Sequence, residues 1–115
     1  MTPTANLEVI GSRGPVPLTA IIDTGFDDDL CLPIKLAVTL GLQLTNTVEV
    51  ELADGTQKEE LVFAGSVHFL GKTQDVRVLL TSSEDALVGT GMLDNCRLGI
   101  DFATGKVQLK RKKPR

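Results

Sequence analysis

The sequence predicts an all-β domain, and three observations point to that class. Eleven glycines and five prolines interrupt a chain of 115 residues every few positions. The segments between them are short and either alternate between apolar and polar residues or are continuously apolar, which is typical of strands. Aromatic residues make up only 3% of the chain, so the core must be aliphatic. A chain of this length forms one domain with its own core.

The individual elements follow from these runs. The predicted strands are 6–10, 18–22, 48–52, 61–63, 63–70, 74–80, 86–89, 98–102 and 107–109. Asp54-Gly55 lies between two of the runs, and such a pair strongly favours a hairpin turn. A second hairpin is expected across 71–73. A short helix or irregular turn is expected over 33–40, with Pro33 near its start and Gly41 at its end, and one or two helical turns over 91–96.

Composition excludes several classes of protein. The net charge of −3 and the low aromatic content argue against a nucleic-acid-binding protein. No apolar run is long enough to cross a bilayer, so no membrane contact is expected. Cys31 and Cys96 lie among apolar residues without a secretory signal, which predicts reduced thiols in a soluble, cytoplasmic protein. These cysteines and the single His68 are scattered, so neither a metal nor another cofactor is expected.

The end of the chain is strongly basic. Residues 110–115 contain five lysines and arginines in six positions. We therefore divide the chain into a domain, 1–109, and a basic C-terminal tail, 110–115. A solvated tail is the first interpretation of such a run, and contact with an acidic partner or RNA is the alternative.

Asp23-Thr24-Gly25 is the segment most suited to chemistry. Asp23 follows the apolar run of 18–22, and a carboxylate at the end of a buried strand needs hydrogen bonds, a cation or a shared proton. Thr24 can donate and accept hydrogen bonds, and Gly25 allows a ligand to approach the backbone closely. A turn in which Asp23 caps its own loop is the alternative interpretation.

This segment has a partial repeat further along the chain. Residues 20–25 read Ala-Ile-Ile-Asp-Thr-Gly, and residues 86–91 read Ala-Leu-Val-Gly-Thr-Gly. The similarity is either chance or the mark of two equivalent halves whose strand ends meet.

Three segments together resemble the retropepsin-like aspartic proteases, the single-domain relatives of retroviral proteases. Residues 20–28 resemble their active-site segment. Leu87-Val88-Gly89, followed by 91–94, resembles a second family element, two aliphatic residues and a glycine before a short helix. A hairpin over 48–62 stands where the family has its flap. The resemblance covers about residues 6 to 109.

The resemblance implies both a fold and an activity. The fold is a closed acid-protease barrel with a β-hairpin flap and one short C-terminal helix. The activity is that of an aspartic endopeptidase, a homodimer with one Asp23 from each chain, which hydrolyses peptide or protein substrates through an activated water. Asp23, Thr24 and Gly25 are the implied catalytic residues. The implied substrate-binding residues are Gly25, Asp27, Ala53, Asp54, Gly55 and Val88.

The sequence departs from the family pattern near the site. Retroviral members have an arginine directly after the second element, where this chain has Thr90, so the expected ion-pair partner of Asp27 is missing. Arg13 and Arg97 are the candidate substitutes. Two other functions remain open: a non-catalytic dimerisation or peptide-binding module with the same fold, and an unrelated β-barrel binding protein whose Asp-Thr-Gly is only a turn.

Overall fold

The computed structural model describes residues 1–112, and most of them lie in β-strands. The elements in chain order are β1 (Thr4–Gly11), β2 (Gly14–Ile22), β3 (Leu30–Pro33), α1 (Ile34–Leu40), β4 (Gln43–Glu51), β5 (Gln57–Phe69), β6 (Lys72–Thr81), β7 (Leu87–Val88), β8 (Cys96–Asp101) and β9 (Lys106–Arg111).

Six of these strands form a closed ring. The order around it is β1-β2-β7-β3-β6-β5, and β5 pairs again with β1 where Val9 faces Val67. β4 extends the sheet beyond β5 as the outer arm of a hairpin. Both ends of the six-strand order are therefore paired, although β2 and β7 share only two residue pairs. This confirms the predicted all-β architecture.

The core inside the ring is aliphatic, as the composition predicted. Alternate residues of β1, the end of β5 and β6 are buried, following the two-residue period of a strand, whereas the first three residues of β3 are all buried. Within residues 1–112, Phe69 is the only aromatic residue among the largest fully buried side chains, which are Phe69, Leu30, Leu32, Leu40, Met92, Val9, Val62, Val67, Val78 and Val88.

The two segments of the partial repeat lie side by side. β2 and β7 pair in parallel, with Ile21 opposite Leu87 and Ile22 opposite Val88. These two positions of the repeat therefore pair with their counterparts. The ends of the two strands meet, so the chain has two equivalent strand ends, of which only one is followed by Asp23.

The helix is at 34–40, where a short helix was one of two expectations. α1 follows Pro33 and ends at Gly41, whose left-handed backbone (φ 67°) closes the last turn. Ala37 and Leu40 are its buried residues. The described residues contain no helix long and apolar enough to cross a membrane.

The predicted C-terminal helical segment is not a helix. Residues 91–95 form consecutive turns, because the hydrogen bonds span three residues: the Met92 N–H donates to Gly89 and the Cys96 N–H to Leu93. Asn95 then takes a left-handed conformation (φ 63°), which ends any helical run.

The hairpin turns agree with the sequence to within a residue. The Asp54-Gly55 turn joins β4 to β5. The next turn is Leu70-Gly71, one residue before the predicted position, and both residues have positive φ. This conformation matches the two-residue turns that suit the twist of paired strands.

β8 and β9 pair only with each other and form a separate two-stranded sheet. β9 runs to Arg111, two residues past the boundary that we predicted at 109, because Arg111 pairs with Cys96 and its guanidinium donates to the Phe69 carbonyl at 3.1 Å. Residues 113–115 of the expected tail lie outside the described residues.

A glycine substitution tests how tightly the β1–β2 turn packs on α1. A Cβ on Gly11 would overlap the Leu40 carbonyl oxygen, whereas a Cβ on Gly99 would meet open space. We expect Gly11→Ala to lower the free energy of unfolding by about 1–3 kcal/mol, the usual cost of overpacking. Gly99→Ala is the matched control and should stay within about 0.5 kcal/mol of wild type. Urea denaturation gives both values, and equal effects would contradict the packing.

Candidate active site

Asp23 stands at the end of β2 in a tightly turned loop. Its N–H donates to the Val88 carbonyl at 2.9 Å, which continues the pairing between β2 and β7. Its carboxylate Oδ1 accepts the Gly25 N–H at 2.9 Å, and its carbonyl accepts the Phe26 N–H at 3.2 Å. Asp23 is half-buried, while Thr24 and Gly25 are exposed. The loop therefore orients one carboxylate and presents it with Thr24 and Gly25 at the surface.

The segment Gly89–Gly91 supports one side of this loop. The Gly89 N–H donates to the Asp29 carbonyl at 2.9 Å, the Thr90 N–H to Phe26 at 2.8 Å and the Gly91 N–H to Asp28 at 3.2 Å. The Thr90 hydroxyl also donates to the Phe26 carbonyl at 3.3 Å.

Both glycines are required by this close approach. A Cβ on Gly89 would overlap the Asp28 carbonyl oxygen, and a Cβ on Gly91 would overlap the Asp29 carboxylate. Thr90 and Gly91 of the second repeat thus bind the loop that follows the first repeat.

The three acids that follow Phe26 have different environments. Asp28 Oδ2 lies 3.3 Å from Nη2 of Arg77, and Asp29 Oδ2 accepts the backbone N–H of Arg77 at 2.9 Å. Asp27 is exposed and makes no side-chain hydrogen bond or ion pair within residues 1–112.

The arginine at the loop is Arg77 of β6, and neither Arg13 nor Arg97 takes that place. Arg13 lies in the β1–β2 turn, where its N–H donates to Leu40 at 3.4 Å, and Arg97 lies on β8 opposite Lys110. Sequence reasoning missed Arg77 because the β3–β6 pairing that brings it to the loop joins distant parts of the chain.

Val88, expected to contact substrate, is buried in the core. Its neighbour Leu87 lies on the opposite face of the sheet. There a row of paired residues crosses four strands; it consists of Ile21, Leu87, Cys31 and Leu79. Three of the four are partly exposed, and only Cys31 is buried. We call these four residues the apolar row.

The thiol within this row is protected from ionisation. Burial raises the pKa of Cys31, and the nearby carboxylate of Glu60 raises it further. Glu60 lies opposite Val48 in the middle of the β4–β5 hairpin. Cys31 remains a neutral, apolar surface at physiological pH.

The β4–β5 hairpin matches the expected flap. Its tip contains Ala53, Asp54 and Gly55, all exposed, with Gly55 at φ 87°. The Asp54 carboxylate accepts the Thr56 hydroxyl at 2.6 Å and the Thr56 N–H at 3.0 Å. These bonds, the hydroxyl first, lower the pKa of Asp54. The tip is therefore an ordered turn that favours the ionised carboxylate.

Residues 1–112 contain no group of three or more His, Cys, Asp or Glu side chains that could hold a metal ion.

Two solved structures have a similar fold. The fold is similar to the solution structure of simian foamy virus (mac) protease, with a TM-score of 0.60 and 17% identity over 80% of this chain and 92% of that one. It is also similar to EIAV protease complexed with the inhibitor HBY-793, with a TM-score of 0.58 and 17% identity over 82% of this chain and 86% of that one. The chain has a retropepsin-like fold.

No protein-family model and no curated protein sequence matches the chain. At 17% identity, the structural likeness establishes the retropepsin-like fold and leaves the site to be argued from its residues.

Acidification is expected to loosen the flap tip. The folded turn lowers the pKa of Asp54, so the ionised carboxylate stabilises the turn. This stabilisation is complete above the ordinary aspartate pKa of about 3.9 and is lost as the pH falls through the lower pKa of the folded protein. In an NMR titration, the Thr56 amide should shift with a midpoint below 3.9.

Two variants test the cause of this shift. Thr56→Val removes the hydroxyl donor and should raise the midpoint, whereas Thr56→Ser keeps the donor and should leave it low. A midpoint that is unchanged in Thr56→Val would contradict this account of the tip.

Proposed function

We propose that this protein is an aspartic endopeptidase that is active as a homodimer. The observation that carries the proposal is the Asp23 loop: within a retropepsin-like fold, a half-buried carboxylate is oriented by Gly25 and held by Val88 at the end of β2.

The partial repeat explains why a second chain is needed. Gly89 occupies the position in the second repeat that Asp23 occupies in the first, so one chain supplies one carboxyl group at this kind of strand end. Acid hydrolysis through a bound water requires a base and an acid. A two-fold axis beside Asp23 would place identical carboxyl groups opposite each other. The exposed Thr24 and Gly25 leave the loop free to meet a second copy.

The chemistry follows from two close carboxyl groups. Ionisation of both would place two negative charges close together, which is unfavourable, so the pair shares one proton. The ionised Asp23 removes a proton from a water that attacks the scissile carbonyl carbon. This proton then passes to the amide nitrogen as the C–N bond breaks and the amine leaves. The protonated Asp23 of the other chain donates a hydrogen bond to the carbonyl oxygen and stabilises the charge that develops there. In this arrangement Thr24 would bond across the axis and keep the two loops in register.

The substrate would bind as an extended peptide. The Gly25 carbonyl and the Asp27 carboxylate would accept backbone N–H groups, and the flap tip, Ala53 to Gly55, would cover the chain and exclude water.

The apolar row is the proposed surface for substrate side chains. Ile21 lies two residues before Asp23, and Leu87 pairs with it across β2 and β7. Leu87 therefore replaces Val88 in the proposed substrate-binding set. A partly exposed aliphatic surface beside the cleavage point favours apolar side chains next to the scissile bond.

The direct test is Asp23→Asn. The variant should lose cleavage of a diverse peptide library by at least about 10³-fold, within the range that acid–base catalysis contributes. Asp94→Asn changes an exposed aspartate of no assigned role and should cleave like wild type. Wild-type activity should rise and fall with pH, because one carboxyl must be ionised and the other protonated.

Mixing experiments test the dimer. Excess Asp23→Asn added to a fixed amount of wild type should suppress cleavage, because mixed dimers carry one acidic group. Unchanged activity would show that each chain works alone and would contradict the proposal. No cleavage by a wild-type protein shown to be dimeric would favour the non-catalytic peptide-binding module instead.

A further inference from the structure

Arg77 reaches the Asp23 loop from β6, the strand on the other side of β3 from β7. Its side chain pairs with the Asp28 carboxylate at 3.3 Å, and its backbone N–H donates to the Asp29 carboxylate at 2.9 Å. One residue therefore binds two neighbouring acids, one by charge and one by a main-chain hydrogen bond. We propose that Arg77 is a positioning residue of the site, which fixes the second half of the loop and through it the orientation of Asp23.

Arg77 is connected to Asp23 through hydrogen bonds within the loop and through the loop backbone between them. Asp28 Oδ1 accepts the Asp29 N–H at 2.9 Å, and its carbonyl accepts the Gly91 N–H. Asp28 is thus held from both sides, by Arg77 and by the second repeat. Two residues earlier, the Phe26 N–H donates to the Asp23 carbonyl at 3.2 Å, so movement of the acidic run is transmitted to the strand end.

The charges of the loop also support a positioning role for Arg77. Residues 27–29 are three successive carboxylates, and Arg77 is the only residue within 1–112 that forms an ion pair with them. Without its guanidinium, the three would repel one another in a loop that must stay closely packed against Gly89 and Gly91.

Arg77 also divides the roles of the three acids. Asp28 and Asp29 are committed to the fold, whereas Asp27 stays exposed and without a side-chain partner among the described residues. The chain has Thr90 where an arginine was expected, and Thr90 binds the Phe26 carbonyl instead. The positive charge at the loop therefore comes from a different strand, and Asp27 remains available to a substrate. This assignment to substrate rests on the proposed function; the positioning role does not.

Hydrogen exchange and kinetics of matched variants test the proposal. The variants are Arg77→Gln, Arg77→Lys, Asp28→Asn and the double variant Arg77→Gln/Asp28→Asn. Arg97→Gln is the control, since it removes the same charge from an exposed position on β8. The readouts are amide exchange over residues 23–30, measured by mass spectrometry, and kcat and KM for a cleaved peptide.

We expect Arg77→Gln and Asp28→Asn each to speed loop exchange by about fivefold or more, as local openings become more frequent. The double variant should be no worse than either single one, because both remove the same interaction. Arg77→Lys should restore most of the protection. For Arg77→Gln, kcat should fall about tenfold with KM changed less than about threefold, because misplacement of the reacting group acts on the chemical step. The Arg97→Gln variant should match wild type in both measurements.

The two proposals fail in different ways. Unchanged loop exchange in Arg77→Gln, or effects that add in the double variant, would overturn the positioning role whatever the activity. The expected exchange pattern in a wild-type protein that cleaves nothing would support the positioning role and count against the protease.

Discussion

The structure depends on one set of contacts, the backbone hydrogen bonds between the loop from Asp23 to Asp29 and the segment from Gly89 to Gly91. They hold a half-buried carboxylate at a strand end, where it forms no ion pair within residues 1–112. Without these hydrogen bonds the loop would allow the Asp23 carboxylate to take several orientations, and the carboxylate would not be held in one position. Two glycines make the contact possible, because any side chain at either position would overlap the loop.

The ring of strands brings these two segments together. β2 and β7 are more than sixty residues apart in the chain, yet they pair in parallel at the point where the loop begins. β3 then returns antiparallel to β7 and parallel to β6, which places Arg77 at the other side of the loop. The closure of β1 on β5 completes the aliphatic core that keeps these strand ends fixed.

Local patterns in the sequence were sufficient for much of this arrangement. Alternation and tight-turn residues predicted most of the strands, the Asp54-Gly55 turn and the aliphatic core, but not β3, whose residues do not alternate, nor the first residues of β4. The repeat of Ala-Ile-Ile-Asp-Thr-Gly anticipated the pairing of β2 with β7, since equivalent strand ends meet in the structure. The loop with Asp23 was evident from the residue types alone, and the resemblance supplied its interpretation.

Three features depended on register or on distant contacts and so could not be predicted. Arg77 reaches the loop only because β6 pairs with β3, and nothing local marks it. Val88 is buried and Leu87 is partly exposed, because the neighbouring strands decide which face of β7 is covered. The turns at 91–95 replace helix because Asn95 and the close approach of Gly91 to the loop leave no room to continue one.

The central claim is that two copies of this chain assemble one active site around Asp23. A crystal structure of the protein at a concentration where it cleaves peptides tests this most directly. The account predicts a two-fold axis beside Thr24, with the two Asp23 carboxyl groups within hydrogen-bond reach of each other or of one shared water, about 2.6–3.2 Å between heavy atoms. An active protein whose Asp23 loops lie on separate faces, far from any second copy, would contradict it.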